Sequence, residues 1–304
     1  MTDDVTAIRE LGDRMAEAIE PVLVGKAHVV RLALTAMLSG GHLLVEDNPG
    51  TGKTSLARAL AACIDGSASR IQFTPDLLPG DITGVSIWDQ STGRFTFHDG
   101  PVFANVVLAD EINRASPKTQ SAMLEVMQES RVTVDGRPHP VPTPFMVVAT
   151  QNPIEQSGTY RLPEAQLDRF ALRTSIGYPD HASTLRILEG SAEPVDPGSL
   201  APVVDTARLR ELIAVVATVH VDAAVADYVA RIVDATRQSG EVRLGVSVRG
   251  ALSLVRTARA YAALDGRDYV TPDDVKALVI PVLAHRIVLE PEAELDGITQ
   301  ETIL

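Results

Sequence analysis

The sequence predicts an α/β fold, a sandwich of helices around a central parallel sheet, followed by a smaller all-helical unit. Three observations carry that prediction. An apolar strand, His42-Leu43-Leu44-Val45, runs into the turn Glu46-Asp47-Asn48-Pro49-Gly50-Thr51-Gly52-Lys53-Thr54 and then into an alanine-rich helix from Ser55 to Cys63. Two further apolar runs, Asn105 to Ala109 and Phe145 to Ala149, end in Asp110-Glu111 and Thr150-Gln151-Asn152. Runs of that kind mark strands buried on both faces, with polar groups at the edge where open α/β sheets bind ligands. From Ser191 to Pro202 the composition shifts to Ser, Glu, Pro and Gly, and beyond it helical periodicity takes over with no convincing strand. The expected division is an α/β domain over 1–180, a linker region over 181–203 and a helical lid domain over 204–304.

Taken in order, Ile8, Leu11, Met15 and Ile19 recur at helical spacing and Pro21 ends that helix. A second amphipathic helix runs from Ala27 to Leu38 and stops at Ser39-Gly40-Gly41. After the glycine turn and its helix, a strand is expected over Arg70 to Thr74, then alternating runs from Val85 to Asp89 and Arg94 to His98 that read as an inserted β-hairpin. Ser116-Pro117 starts a helix with favourable capping residues. Arg131 to Val134 turns at Asp135-Gly136 into a proline-rich return arm, a second hairpin. A helix from Pro163 to Phe170 and a strand from Leu172 to Tyr178 close the first domain. Helices are expected over Leu209 to Thr218, Ala223 to Ser239, Val248 to Leu264 and Pro272 to Ala284.

Composition narrows the function. Forty acidic against 27 basic residues give a formal charge of −13, with no Lys/Arg run, which is not the footprint of a general nucleic-acid binder. The acidic start Met1-Thr2-Asp3-Asp4 has no apolar stretch behind it, and no run is long enough to cross a membrane, so the chain reads as cytoplasmic and not as an integral membrane protein. The single Cys63 excludes an intramolecular disulfide and reads as a small buried apolar residue. Seven scattered histidines show no metal-ligand spacing.

The chemistry sits in the glycine turn. A strand that breaks into such a turn and re-enters a helix aims backbone N–H groups, here over Asn48 to Ser55, and a helix dipole at one point that suits a phosphate. Lys53 adds a cation for the β- and γ-phosphates, and Thr54 sits where a hydroxyl would ligate Mg²⁺. Asp47 stands where the strict pattern asks for its first glycine. At the same sheet edge Asp110 would hold the metal through water and Glu111 would polarise an attacking water. Asn152 is a candidate for orienting that water. Arg169 could reach a neighbour's nucleotide, with Arg173 and Arg114 as alternatives, and Arg249 could contact the γ-phosphate from the helical domain.

On these residues the chain resembles the MoxR family of AAA+ ATPases over nearly its full length. The carrying stretches are Glu46 to Thr54, Asp110-Glu111-Ile112-Asn113-Arg114-Ala115, Ala149-Thr150-Gln151-Asn152-Pro153 and Leu162-Pro163-Glu164-Ala165-Gln166-Leu167-Asp168-Arg169-Phe170. Asp47 is usual in that family, and the two hairpins fall where its helix-2 insert and pre-sensor-1 hairpin belong. The resemblance implies ATP and Mg²⁺, and a homo-oligomeric ring, commonly a hexamer. It makes Asn152 sensor 1, Arg249 sensor 2 and Arg169 the arginine finger, and it places Val24 and Gly25 against the adenine. It also implies chaperone-like remodelling or maturation of enzyme complexes, including metal or cofactor insertion, with a partner carrying a von Willebrand factor A domain. Lys26 stands where the family usually has glutamine, and Val248 replaces the proline common before the sensor-2 arginine.

Other readings are a nucleic-acid-dependent ring motor, against which the net charge speaks, and a nucleotide-gated scaffold without catalysis. An enhancer-binding transcription activator would need a Gly-Ala-Phe-Thr-Gly-Ala loop, which is missing, and GTP specificity would need an Asn-Lys-x-Asp motif, which is also missing.

Overall fold

The computed structural model describes residues 2–48, 50–91, 93–152, 160–189 and 195–304. Two helices open the chain. α1 (Thr2–Ile19) buries the stripe Val5, Ile8, Leu11, Met15 and Ile19, and α2 (Ala27–Leu38) is buried over most of its surface. β1 (Leu43–Glu46) then feeds the glycine turn and α3 (Lys53–Ala62), followed by β2 (Ile64–Asp65) and β3 (Ala68–Gln72). A short helix α4 (Pro79–Thr83) leads to the first hairpin, β4 (Gly84–Asp89) with β5 (Arg94–Asp99), and on to β6 (Val106–Asp110). α5 (Pro117–Glu129) starts at Ser116, whose hydroxyl accepts the Thr119 N–H, and ends at the second hairpin, β7 (Arg131–Val134) with β8 (Arg137–Pro140). β9 (Met146–Gln151), α6 (Glu164–Leu167) and β10 (Leu172–Thr174) complete the α/β part.

Five strands form one parallel sheet in the order β10-β1-β9-β6-β3. The register sets Leu43 beside Leu172 and Val148, Ala109 beside Ala149, and Gln72 beside Asp110. All five strands therefore end on one edge. Alternation along them sends Leu43, Val45, Val106, Leu108, Met146 and Val148 into the cluster shared with α1, α2 and α3, and Leu44, Val107, Ala109, Val147 and Ala149 into the cluster with α5.

After β10 come α7 (His181–Glu189), β11 (Val204–Asp205), α8 (Thr206–Val216), α9 (Ala223–Gln238), β12 (Val242–Leu244), α10 (Val248–Leu264), α11 (Pro272–Leu283), β13 (Val288–Leu289), α12 (Pro291–Leu295) and α13 (Gln300–Ile303). Asp205, Asp222, Ser247 and Thr271 cap α8 to α11 by accepting N–H groups of their first turns. Strands of two or three residues do occur here, contrary to the sequence reading. β11 pairs with β2 and β12 with β13, each too short to leave an alternating pattern. The apolar cluster beneath β1 continues without a break into Leu209, Leu212, Leu254, Ala258, Leu278 and Val282, because α10 lies against both α1 and α2. None of the described helices is long and apolar enough to cross a membrane.

Two elements are shorter than their periodicity predicts. The helix expected to reach Phe170 stops at Leu167, where Arg286 takes the Asp168 carboxylate at 2.7 Å and the Phe170 carbonyl at 2.6 Å. The strand expected to reach Tyr178 stops at Thr174, because the N–H groups of Ile176 and Gly177 turn away to the Asp47 carboxylate at 2.9 and 2.6 Å.

Candidate nucleotide site

The turn after β1 is shaped by Gly50 and Gly52, whose φ values of +84° and +97° are ones that a side chain would strain. Lys53 opens α3 and Ser55 follows it in the first turn, where N–H groups lack partners within the helix. The Lys53 ammonium donates to the main-chain carbonyls of Asp47 and, at 3.1 Å, of Asn48, while the Thr51 hydroxyl donates to Asn48 at 3.1 Å. Burial pulls the Lys53 pKa down, against the opposing pull of the Asp47, Asp110 and Glu111 carboxylates. Pro49 and Pro153 lie outside the described residues.

The acidic pair meets this loop. Asp110 takes the Thr54 hydroxyl at 3.3 Å, the Thr150 hydroxyl at 2.6 Å and the Arg70 guanidinium at 2.6 Å. Glu111 has a left-handed backbone, φ 56°, and its N–H donates to Thr150 Oγ1 at 2.9 Å. Its carboxylate accepts from Gln72 at 3.0 Å and Arg114 at 2.8 Å. Asn152, one residue past β9, accepts at its carbonyl from Asn113 and lines a cavity of about 480 Å³ with Glu46, Asn113, Arg161 and Arg173. For a divalent cation the donor set fits. Thr54 and Asp110 offer hard oxygens side by side, a cationic guanidinium already rests on the same Asp110 oxygen, and phosphates and water would complete the shell.

Arg169 and Arg249 are elsewhere. They share a cavity of about 450 Å³ with Gly41, His42, Asp168 and Arg286, residues that precede β1 and β10 or come from the helical part. This is the N-terminal edge of the sheet, a four-residue strand or on the order of 13 Å from the Lys53 turn. Within one chain Arg249 therefore stands apart from the Lys53 turn. Its helix α10 is held against α1 and α2, which commits it to the other edge. Burial and the neighbouring Arg249 charge lower the Arg169 pKa, and Arg169 Nε is buried without a partner among the described residues. The two alternatives are occupied, Arg114 by Glu111 and Arg173 by Glu46 and Glu301 at 3.1 and 3.3 Å.

Comparison with known proteins follows the same outline. Residues 42–172 match the family described as "ATPase family associated with various cellular activities (AAA)", and residues 234–304 match the AAA lid domain. The chain is 48% identical to the YeaC protein of Bacillus subtilis, over 96% of this chain and 91% of that one. It is 42% identical to Chaperone MoxR1 of Mycobacterium tuberculosis, over 96% and 79% respectively, and 35% identical to Protein MoxR of Paracoccus denitrificans, over 91% and 88%. The chain belongs to the MoxR family of AAA+ ATPases. A crystal structure of a Cytophaga hutchinsonii protein described as a candidate ATPase superposes with a TM-score of 0.89 at 37% identity, covering 99% of this chain and 95% of that one.

In this MoxR-family chain three polar residues at the acidic pair escaped the sequence reading. Thr150 is fully buried at the end of β9 and bridges Asp110 to the Glu111 N–H. Its signal was a hydroxyl ending an apolar run. Arg70 and Gln72, two apart on β3, point the same way and reach Asp110 and Glu111. Strand order alone makes them neighbours, and the sequence does not state strand order. Val24 and Gly25 stand in the loop before α2, and a Cβ on Gly25 would run into the Ser183 hydroxyl. Lys26 donates to the Tyr178 carbonyl at 2.8 Å.

Proposed function

We propose that this chain binds ATP with Mg²⁺ and hydrolyses it in a ring of identical subunits, using the cycle to remodel or mature protein complexes. The observation that carries the reading is the convergence of Lys53 and Thr54 with Asp110 and Glu111 at one sheet edge. Thr54 and, through water, Asp110 would hold the metal, which when bound supplies charge neutralisation on the phosphate oxygens. The turn N–H groups over Gly50 to Ser55 and the Lys53 ammonium seat the phosphates, with Asn48 and Pro49 in the same turn and Val24 and Gly25 on the nucleoside side. Glu111 accepts a proton from the attacking water and Asn152 orients it. Gln72 and Arg114 both donate to Glu111 Oε2, which leaves Oε1 to take the proton.

Arg169 and Arg249 face the same opening and repel each other, an arrangement that an incoming anion relieves. Because their edge is remote from Lys53, the phosphate they serve belongs to the next subunit in the ring. A hexamer, a partner with a von Willebrand factor A domain, metal insertion as an output, and the division into 1–180, 181–203 and 204–304 are parts of the same proposal. The name of the mycobacterial relative supports the chaperone role. So does the exposed apolar set Val85, Ile87, Trp88 and Phe95 on the first hairpin, suited to an apolar client surface. The test is a titration of purified protein with ATP, with and without Mg²⁺, paired with phosphate release. Mg²⁺-dependent binding and turnover are expected, and no binding in any oligomeric form overturns the reading.

A further inference from the structure

Asp47 is an anion built into a loop that receives anions. Its side chain is buried, yet the carboxylate is held ionised. Burial would raise its pKa, but the N–H groups of Gly177, Asn48 and Ile176 together outweigh burial and bring it below the ordinary range. Oδ1 takes the Asn48 N–H at 2.7 Å, and Oδ2 takes the Ile176 and Gly177 N–H groups at 2.9 and 2.6 Å. A glycine at this position would remove the repulsion between Asp47 and the phosphates. The residue instead spends its charge on a segment 129 positions further along the chain.

That segment has a place in the site. In the strand order β10-β1-β9-β6-β3, the acidic pair at the end of β6 lies to one side of the turn after β1, and the stretch that follows β10 lies to the other. A triphosphate whose terminal phosphate meets Asp110 and Glu111 must run its nucleoside toward the β10 side. There Gly25 abuts Ser183, Lys26 holds the Tyr178 carbonyl at 2.8 Å, and Leu23 would stand 3.2 Å from a Cβ on Gly52. The 23–26 loop and the 176–183 segment thus form one wall, and Asp47 is its tie to the phosphate turn.

We infer that Asp47 is a positioning residue that fixes this nucleoside-side wall relative to the phosphate turn, and so sets how strongly the site prefers a nucleotide over a bare polyphosphate. This rests on the ATP-binding reading above. Asp47→Asn leaves one acceptor oxygen for the three N–H groups of Asn48, Ile176 and Gly177 and removes the charge, and Asp47→Gly removes the tie altogether.

The experiment measures dissociation constants for Mg·ATP and for Mg·tripolyphosphate with wild type, Asp47→Asn and Asp47→Gly, and amide exchange at Ile176 and Gly177. In wild type both amides are expected to be protected and ATP to bind tighter than tripolyphosphate. In the variants tripolyphosphate binding stays or tightens, the ATP preference falls about 10-fold or more, as loss of hydrogen bonds to a charged group implies, and both amides exchange faster. An unchanged ATP preference in the folded variants overturns the inference. If neither variant folds, unprotected Ile176 and Gly177 amides in wild type overturn it and protected ones support it. Wild type that binds neither ligand defeats the ATP-binding reading itself, a result distinct from the other two.

Discussion

Thr150 shows how few atoms prepare the acidic pair. One hydroxyl donates to Asp110 and accepts from the Glu111 N–H, so it sets the spacing of the two carboxylates from within the sheet. Glu111 is the group for which chemistry gives the sharpest expectation. Glu111→Gln keeps the shape and the Arg114 side of the pocket but cannot take a proton. ATP binding should stay within about twofold, while steady-state phosphate release falls roughly 10²-fold or more. Normal turnover in that variant would remove Glu111 from the mechanism. His42 offers a test of stability rather than activity. It is buried, with Nε2 against the Met127 carbonyl at 3.1 Å and Nδ1 accepting the Val147 N–H at 3.0 Å, and burial drops its pKa from 6.5 to about 4. Between those values the unfolded chain takes up a proton that the folded chain refuses, so stability falls as pH drops from about 6.5 to 4, by roughly 3 kcal/mol for this group. His285 is pushed the same way by burial and Arg286. Urea midpoints across that range should decline, and His42→Gln, which can keep both hydrogen bonds, should flatten the slope.

At the level of elements, legibility depended on whether a boundary was local. α2 and the two hairpins lie close to where spacing and turn residues placed them, since their stops, Ser39-Gly40 and Asp135-Gly136, are written beside them. The ends of α6 and β10 are written in Arg286 and Asp47, far along the chain or on another strand, and periodicity cannot report such partners. The Asp168 to Arg286 pair also anchors the turn that carries Arg169. The Arg286 side chain is only 2% exposed, and it spans Asp168, Phe170 and the Val282 carbonyl. Asp168→Ala would strand that charge and should cost roughly 3 kcal/mol in chemical denaturation, whereas Arg286→Met, which removes the charge and keeps the bulk, should cost less. The opposite ranking would mean that the pair is not the anchor. Cys63, its thiol raised to about 11 by burial in α3's cluster, is inert in this picture.

For the molecule as a whole, the sheet edge that gathers Lys53, Thr54, Asp110 and Glu111 was legible because these residues follow strands whose apolar runs announce them. The side on which Arg249 falls was not, since it depends on how α10 docks against α1 and α2. Because Arg169 and Lys53 sit on opposite edges, activity should belong to pairs of subunits. Arg169→Ala and Lys53→Ala proteins are each expected to be inactive alone, and mixing them should restore part of the phosphate release, since some junctions then combine an intact turn with an intact arginine. No recovery in verified mixed assemblies would rule out the shared arrangement. The unbroken apolar cluster from Leu43 through Leu212 to Leu278 has a further consequence. Helices that share their oil with the sheet cannot swing free of it like a door on a pin. Heating should melt the chain in a single step, and cutting it after β10 should yield two fragments that precipitate instead of two that survive.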